Sequence, residues 1–599
     1  MMKAKNALFV TVFVALVAAC FGAIEAGLAL SDYGVDRSLF ERHRYLGGLY
    51  VENIFFYNRY FDRSQWAKKD AKVRYIRNVF RYRKTPKILR GFVLGESAAQ
   101  GYPYRANHAF GKMVEAALAY SGHYEKVEIV NVSDSAISSY AIRDIARRLD
   151  EYAPDFLIVY AGNNEYYGTV TESTGGTHFS RNLYLRLRDV RLFQLAFDAF
   201  SGELSRPVGG GQAMMAERFA EKRYPPNALV DQRIARNFVK NIDAIVSQYV
   251  DRIPVILVEP VANLADMPPF AGEGDEKLRS IIEPYAAAVR SGDLDKAREV
   301  RDQHRAPLGP TDNATLHYLD GLYERLADPK SPFDVELARA RDLDLVPFRP
   351  RRAELEALHS YAQERSKSSP NLHFVPLYEV LAARGGPGIF SNRIFLDHVH
   401  FNQAGHRLVA EIVATALTDV LAFDAEKKAK VGQFFSGDQA VSDAVHCLSF
   451  HRLFANLDFG VLLDAPPYSS MLVKFQPNSE EYRTAAADLG PELMAMIHGK
   501  TQPEALPVVV NYYMQRDEFR KAHELFIAEN FSYPGTHTTY LNLARFFSKF
   551  ANFVNDAESN YRMAYLLSDK DRAIYDEMKK YLTENHREES LVKIDRTPP

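Results

Sequence analysis

Ser97, Asn164, Asp397 and His400 are scattered along a chain of 599 residues, yet their types and settings add up to one chemistry. Hydrolysing an ester through a serine requires a base, a carboxylate that orients the base, and donors for the developing oxyanion. Ser97 follows Ile88–Leu94, a short apolar run suited to a buried strand, and Gly95-Glu96 ends that run abruptly. A serine placed there, beside a glycine that permits a tight turn, sits at the edge of a sheet. Alone, the stretch reads equally as a turn whose serine caps a helix. Asp397 and His400 stand at i and i+3, so on one helical turn they share a face and hydrogen-bond. His400 is then the base that removes the Ser97 proton, and Asp397 fixes its tautomer. The oxyanion donors are the backbone N–H of Ser97, the backbone N–H of Ala136 and the side-chain amide of Asn164. An amide donates without bringing a charge that would need burial.

The elements that must position these groups follow from the hydropathy pattern. Apolar runs at Ile88–Leu94, Val127–Val132, Phe156–Ala161, Pro254–Val258 and Leu372–Leu377 alternate with helical stretches around Ala109–Tyr120, Ala141–Glu151 and Asp231–Val250. Such alternation predicts an α/β fold, a parallel sheet covered by helices on both faces. Ligands on such sheets bind at the carboxyl ends of the strands, where Ser97 and Asn164 both fall. Residues 171–225, with Gly175-Gly176 and Gly209-Gly210-Gly211, read as a mobile cover over the site. Residues 271–368 separate two strands by far more than an ordinary connection and so form a helical insert.

Composition bounds the rest. The length predicts two to four domains, and 47% hydrophobic with 25% charged residues is globular. A net charge of −2 leaves no electrostatic footprint for nucleic acid. Two cysteines, Cys20 and Cys447, exclude a disulfide framework and a multi-cysteine zinc site. Lys3 and Lys5 precede an apolar run from Ala7 to Leu30 broken only by Glu25, long enough to span a bilayer. Lysines before the run put the amino terminus in the cytoplasm and the body outside, on the periplasmic side. A cleaved signal peptide is one alternative. Another is a lipoprotein, since Val17-Ala18-Ala19-Cys20 resembles a lipobox; the apolar run continues well past Cys20, which favours an uncleaved anchor. The expected organisation is 1–31 anchor or signal, 32–87 connecting segment, 88–270 with 369–425 hydrolase domain, 271–368 insert, and 426–599 a helical region. In the last region A-x-x-x-(F/Y) recurs 35 residues apart, at Ala522/Phe526 and Ala557/Tyr561, with Ala564 adding a small residue. That resembles tetratricopeptide helix pairs, a surface for a protein partner; generic helical hairpins explain it equally well. Ala314–Phe348 in the insert is a weaker copy.

These residues resemble the SGNH (GDSL-type) hydrolases. The family's first block is similar to Gly95-Glu96-Ser97, its third to Gly162-Asn163-Asn164-Glu165 and its fifth to Asp397-His398-Val399-His400, over roughly 88–265 and 370–422. The resemblance implies a flavodoxin-like sheet, no cofactor, and activity as an esterase, lipase, carbohydrate deacetylase or O-acyltransferase. Gly95, Glu96, Gly162 and Glu165 would then be supporting residues. Glu96 and Glu165 each stand where the family has aspartate, and Ala136 stands where it has glycine, which is restrictive if φ there must be positive. With the anchor and the repeat-like helices, the chain also looks like a group of bacterial envelope proteins. The expected substrate is an ester-bearing small molecule or polysaccharide, by hydrolysis or by O-acyl transfer. A different class of function, a scaffold with a vestigial core, is disfavoured by the complete set of four side chains.

Some residues admit plainer readings. His398, His400 and His406 with Asp397 have metal-ligand character, but a metal would leave the serine and asparagine blocks without purpose, so no metal is expected. Glu259 reads as part of a turn before it reads as a pocket residue. Tyr166-Tyr167 either line the substrate channel or fill the core beneath it, and Lys427-Lys428-Ala429-Lys430 is a solvated face.

Overall fold

A computed structural model describes residues 2–34, 38–60, 78–201, 222–436 and 483–591, with short interruptions. Gly209–Gly211, Cys447 and Phe526 lie outside the described residues. Helix α1 (Met2–Leu30) leads into a small antiparallel sheet of β1 (Phe40–Arg42), β2 (Leu49–Glu52) and β3 (Val79–Arg81). The main sheet follows: β4 (Ile88–Gly95), β5 (Lys126–Asn131), β6 (Phe156–Tyr160), β7 (Val255–Val258) and β8 (Leu372–Val375). Its order is β5-β4-β6-β7-β8 and every pairing is parallel. The chain is therefore α/β. All eight residues of β4 are buried, as expected of a central strand covered on both faces.

Alternation along β4 divides the core. Leu89 and Val93 join one apolar cluster with α3 (Phe110–Tyr120) and the helix Gln403–Val420, through Val114, Leu118, Val409 and Val413. Phe92 and Leu94 join the other, with α4 (Ser139–Ala146) and the helices Ala228–Tyr249 and Arg352–Ser366, through Ile142, Ile245 and Leu358. Successive side chains of a strand point to opposite faces, so one strand organises both layers.

The described part of 32–87 is more than a connection. Phe40 and Phe80 pack edge-on with each other at 4.8 Å and against Phe92 of the main sheet at 6.4 and 6.0 Å. Arg90, buried in the middle of β4, pairs with Glu128 at 2.9 Å and donates to the carbonyls of Arg81 and Tyr152. This buried charge ties the small sheet to the large one, and removing either partner costs about 3–5 kcal/mol.

Between β7 and β8 the insert folds as helices Arg279–Ser291, Leu294–Arg305, Ala314–Ala327 and Asp334–Leu343 with their own small core around Tyr285, Leu316 and Tyr323. In the carboxyl-terminal region, Ala557, Tyr561 and Ala564 are buried in the helix Val554–Leu567, which packs against His537–Phe547. Helices α5 (His178–Leu187) and α6 (Arg191–Ser201) fill part of the stretch expected to be a mobile cover, and they are fastened rather than loose. Asp189, in the turn between them, binds Arg59, Arg147 and Arg148 at 2.5–2.7 Å.

Candidate active site

Ser97 begins α2 (Ser97–Gln100), a single turn directly after β4 that Gly101 closes in the left-handed conformation, φ 97°. Gly95 has no alternative, because a Cβ there would meet the Tyr160 carbonyl oxygen at 2.3 Å, where β4 and β6 pair. The strand thus delivers Ser97 to the carboxyl edge of the sheet, buried except for a small accessible fraction.

The decisive contacts are short. His400 Nε2 lies 2.7 Å from Ser97 Oγ, and His400 Nδ1 lies 2.6 Å from Asp397 Oδ2. Asp397 and His400 meet in a bend rather than on the helical turn expected from their spacing. The Leu396 N–H donates to the His400 carbonyl at 2.8 Å, and Phe395 pairs with Phe401 to close the loop. Asp397 Oδ1 accepts the backbone N–H of Val399 at 2.9 Å and of His400 at 2.8 Å, so the carboxylate folds its own loop and presents its free edge to the imidazole. Burial alone would raise the Asp397 pKa. The facing imidazoles of His400 and His398, with the hydrogen bonds from His400, outweigh burial and hold it below the ordinary carboxylate range.

The second side of the site is the turn after β6. Glu96, wholly buried beside Ser97, accepts the N–H groups of Gly162 (3.3 Å), Asn163 (2.7 Å) and Asn164 (3.3 Å). Gly162 lies at φ 128°, outside the range of ordinary side chains. Asn164 Nδ2 donates to the Ile137 carbonyl at 3.0 Å, which fixes the amide between the β6 turn and the β5 turn. Glu165 accepts both the N–H and the hydroxyl of Ser139 at 2.8 Å, supplying a carboxylate to the first turn of α4. Burial, reinforced for Glu96 by the nearby Glu165, pushes the pKa of Glu96 up to about 8. Burial likewise pushes Glu165 up to about 7, against the opposing Ser139 bonds.

Ala136 lies at φ 61°, so the turn does take the left-handed conformation that favours glycine. An alanine there carries about 1–2 kcal/mol of strain. Two neighbours that sequence reasoning passed over hold this turn. Gln100, one turn after Ser97, donates to Asp134 Oδ1 at 2.9 Å and accepts from Ser135 Oγ at 2.6 Å. Gly168 closes the other side, where a Cβ would lie 2.6 Å from the Asn164 carbonyl oxygen. The available signal was the i+3 spacing of Gln100 from Ser97 on a predicted helix.

The remaining histidines do other work. His406 is fully buried and stacks on Phe110, while His398 packs edge-on against Phe270 and Phe348 at the roots of the insert. Among the described residues, no group of three His, Cys, Asp or Glu side chains forms a metal-type cluster. Tyr166 and Tyr167 are buried, with hydroxyls donating to Asp231 and to the Lys222 carbonyl at 2.8 Å, so they are core rather than channel. Glu259 does reach a pocket, but not that of Ser97. It binds His359 Nε2 at 2.7 Å and the Tyr378 N–H at 2.9 Å beside a cleft of about 530 Å³ under the insert.

No protein-family model and no curated protein matches the chain. Among solved structures, the chain is similar to the crystal structure of the lipase/acylhydrolase from Enterococcus faecalis, 13% identical, over 55% of this chain and 96% of that one, with a TM-score of 0.24. So distant a likeness carries no argument about individual residues, and the chemistry rests on the site itself.

Proposed function

We propose that the chain is a membrane-anchored, extracytoplasmic serine esterase of the SGNH type, acting on an O-acyl ester of an envelope carbohydrate or lipid. The single observation that carries this reading is the unbroken relay from Asp397 through His400 to Ser97, with contacts of 2.6 and 2.7 Å. Ser97 Oγ attacks the ester carbonyl carbon as His400 Nε2 takes its proton. The oxyanion that forms meets the N–H groups of Ser97 and Ala136 and the second amide hydrogen of Asn164. Collapse expels the alcohol, which leaves with the proton from His400, and the acyl group stays on Ser97. Water activated by the same imidazole then releases the acid; a sugar hydroxyl in its place gives O-acyl transfer. Asp397, ionised throughout, steadies the imidazolium in both steps.

For the anchor, Lys3 and Lys5 before the apolar run support an outward body. Retention of α1 is supported by Glu25, which takes part in the folded body through contacts to Arg191 and Leu192. The helix pairs at the carboxyl end are proposed as tetratricopeptide-like and as a surface for a protein partner.

The test is labelling of the full chain with a fluorophosphonate serine probe. Attachment that vanishes in Ser97→Ala supports the enzyme, whereas a well-folded parent that takes no label favours a scaffold. Running an acyl-donor assay with and without a sugar acceptor separates hydrolysis from transfer.

A further inference from the structure

Glu25 is the sole charge within the apolar stretch of α1, and the body docks on it. Its carboxylate accepts the N–H groups of Arg191 at 3.0 Å and Leu192 at 2.9 Å, the first residues of α6. Arg191 Nε adds a bond to the Tyr33 carbonyl at 2.8 Å. A carboxylate at that position satisfies orphan donors of the helix and complements its dipole. The start of α6 is therefore fixed at the level of Glu25, about 7–8 Å back along α1 from Leu30 at 1.5 Å per residue. Beyond this contact no residue of the apolar window from Thr11 to Leu30 is buried among the described residues.

The hairpin itself supplies an independent observation. Phe193 and Phe197 of α6 turn inward onto Tyr184, and the Arg188 guanidinium lies over Phe197 at 4.9 Å. Leu195 is left 38% exposed. On α5, Phe179 (74% exposed) and Leu183 (41%) stand at i and i+4 and so share a face. Val190 in the turn is exposed as well. Four large apolar side chains thus stand exposed along one short hairpin, a feature that marks a contact with another phase or partner. These are not on a loose flap, because Asp189 is held by three arginines of the hydrolase body.

We propose that α5 and α6 form an interfacial foot, which seats its exposed apolar side chains in the bilayer boundary beside the anchor. The occupant is lipid because the foot is fixed through Glu25 to the one helix long and apolar enough, among the described residues, to cross a bilayer. Exposed Arg186 is suited to anionic headgroup phosphates. The inference rests on the reading of α1 as a retained membrane anchor.

The test uses the full chain with Cys20 and Cys447 replaced by serine, in phosphatidylcholine–phosphatidylglycerol liposomes containing doxyl-labelled lipid. Single cysteines at Val14→Cys, Leu183→Cys, Leu195→Cys and Leu326→Cys carry an environment-sensitive fluorophore. Doxyl lipid should quench the labels at 14, 183 and 195 and spare the label at 326, on the exposed side of the insert. Quenching at 14 alone overturns the foot and leaves the anchor standing. No quenching at 14 removes the anchor, and with it the foot. Cross-linking of the 183 or 195 cysteines between two chains, without lipid quenching there, assigns the face to a second copy and also overturns the proposal.

Discussion

Two turns frame Ser97, each folded around one buried carboxylate, and the two carboxylates differ in what faces them. Asp397 accepts two backbone N–H groups and looks onto the imidazoles of His400 and His398. Glu96 accepts three backbone N–H groups, yet it is buried and the charge acting on it is that of another carboxylate, Glu165. The first is held below the usual range and the second is pushed up to about 8. Counting donors would have given the reverse order. The lesson is that partner charge, not the number of amide donors, decides the ionisation of a buried acid.

The sharpest way to break this contrast is Asp397→Asn, which removes the charge that pairs with His400 and reverses the bond to its Nδ1. Turnover of an ester substrate is expected to fall about 10⁴-fold, with the fold retained by circular dichroism. Asn164→Ala acts at the other turn and removes one proposed oxyanion donor, for an expected loss of about 10²–10³-fold in kcat. Equal activity in that variant would remove Asn164 from the mechanism.

Glu96→Gln sharpens the comparison through pH. A carboxyl whose folded pKa is raised from 4.5 to about 8 binds more protons folded than unfolded between those values. Stability therefore falls as pH rises through that window, and the glutamine variant should show a shallower decline in urea midpoint from pH 5 to 8. Asp397 has the opposite sign: its contribution is present above its ordinary pKa of 3.8 and is lost only on acidification through a lower folded value. The Asp397 carboxyl itself therefore adds nothing to the slope between pH 5 and 8. The smallest effect is Ala136→Gly, where relief of a positive φ should offset the entropy cost of glycine and shift the melting temperature by no more than a few degrees.

The sheet was legible because each strand is a mostly apolar run, the pattern expected when both faces are covered. The serine block was legible for the same reason, since the end of Ile88–Leu94 can only be a sheet edge. The loop holding His400 was read with the right partners and the wrong backbone. An aspartate that accepts its own i+2 and i+3 N–H groups brings side chains together without a helix, and spacing alone does not distinguish the two. The amino-terminal sheet was hidden because β1 and β3 have three residues each and include arginines; their stability comes from Phe92, Tyr152 and Glu128, which are far along the chain. The same holds for Glu259, whose partner His359 lies 100 residues on, in the insert.

Ser97 and His400 are 303 positions apart, with the whole insert between them. On a ribosome adding about 5–20 residues each second, the nucleophile is made roughly 15–60 s before its base exists. On the function proposed above, a nascent chain held at the membrane is thus chemically inert towards esters until nearly the full catalytic domain has emerged. Any truncation before residue 397 yields a serine that never acquires its proton acceptor.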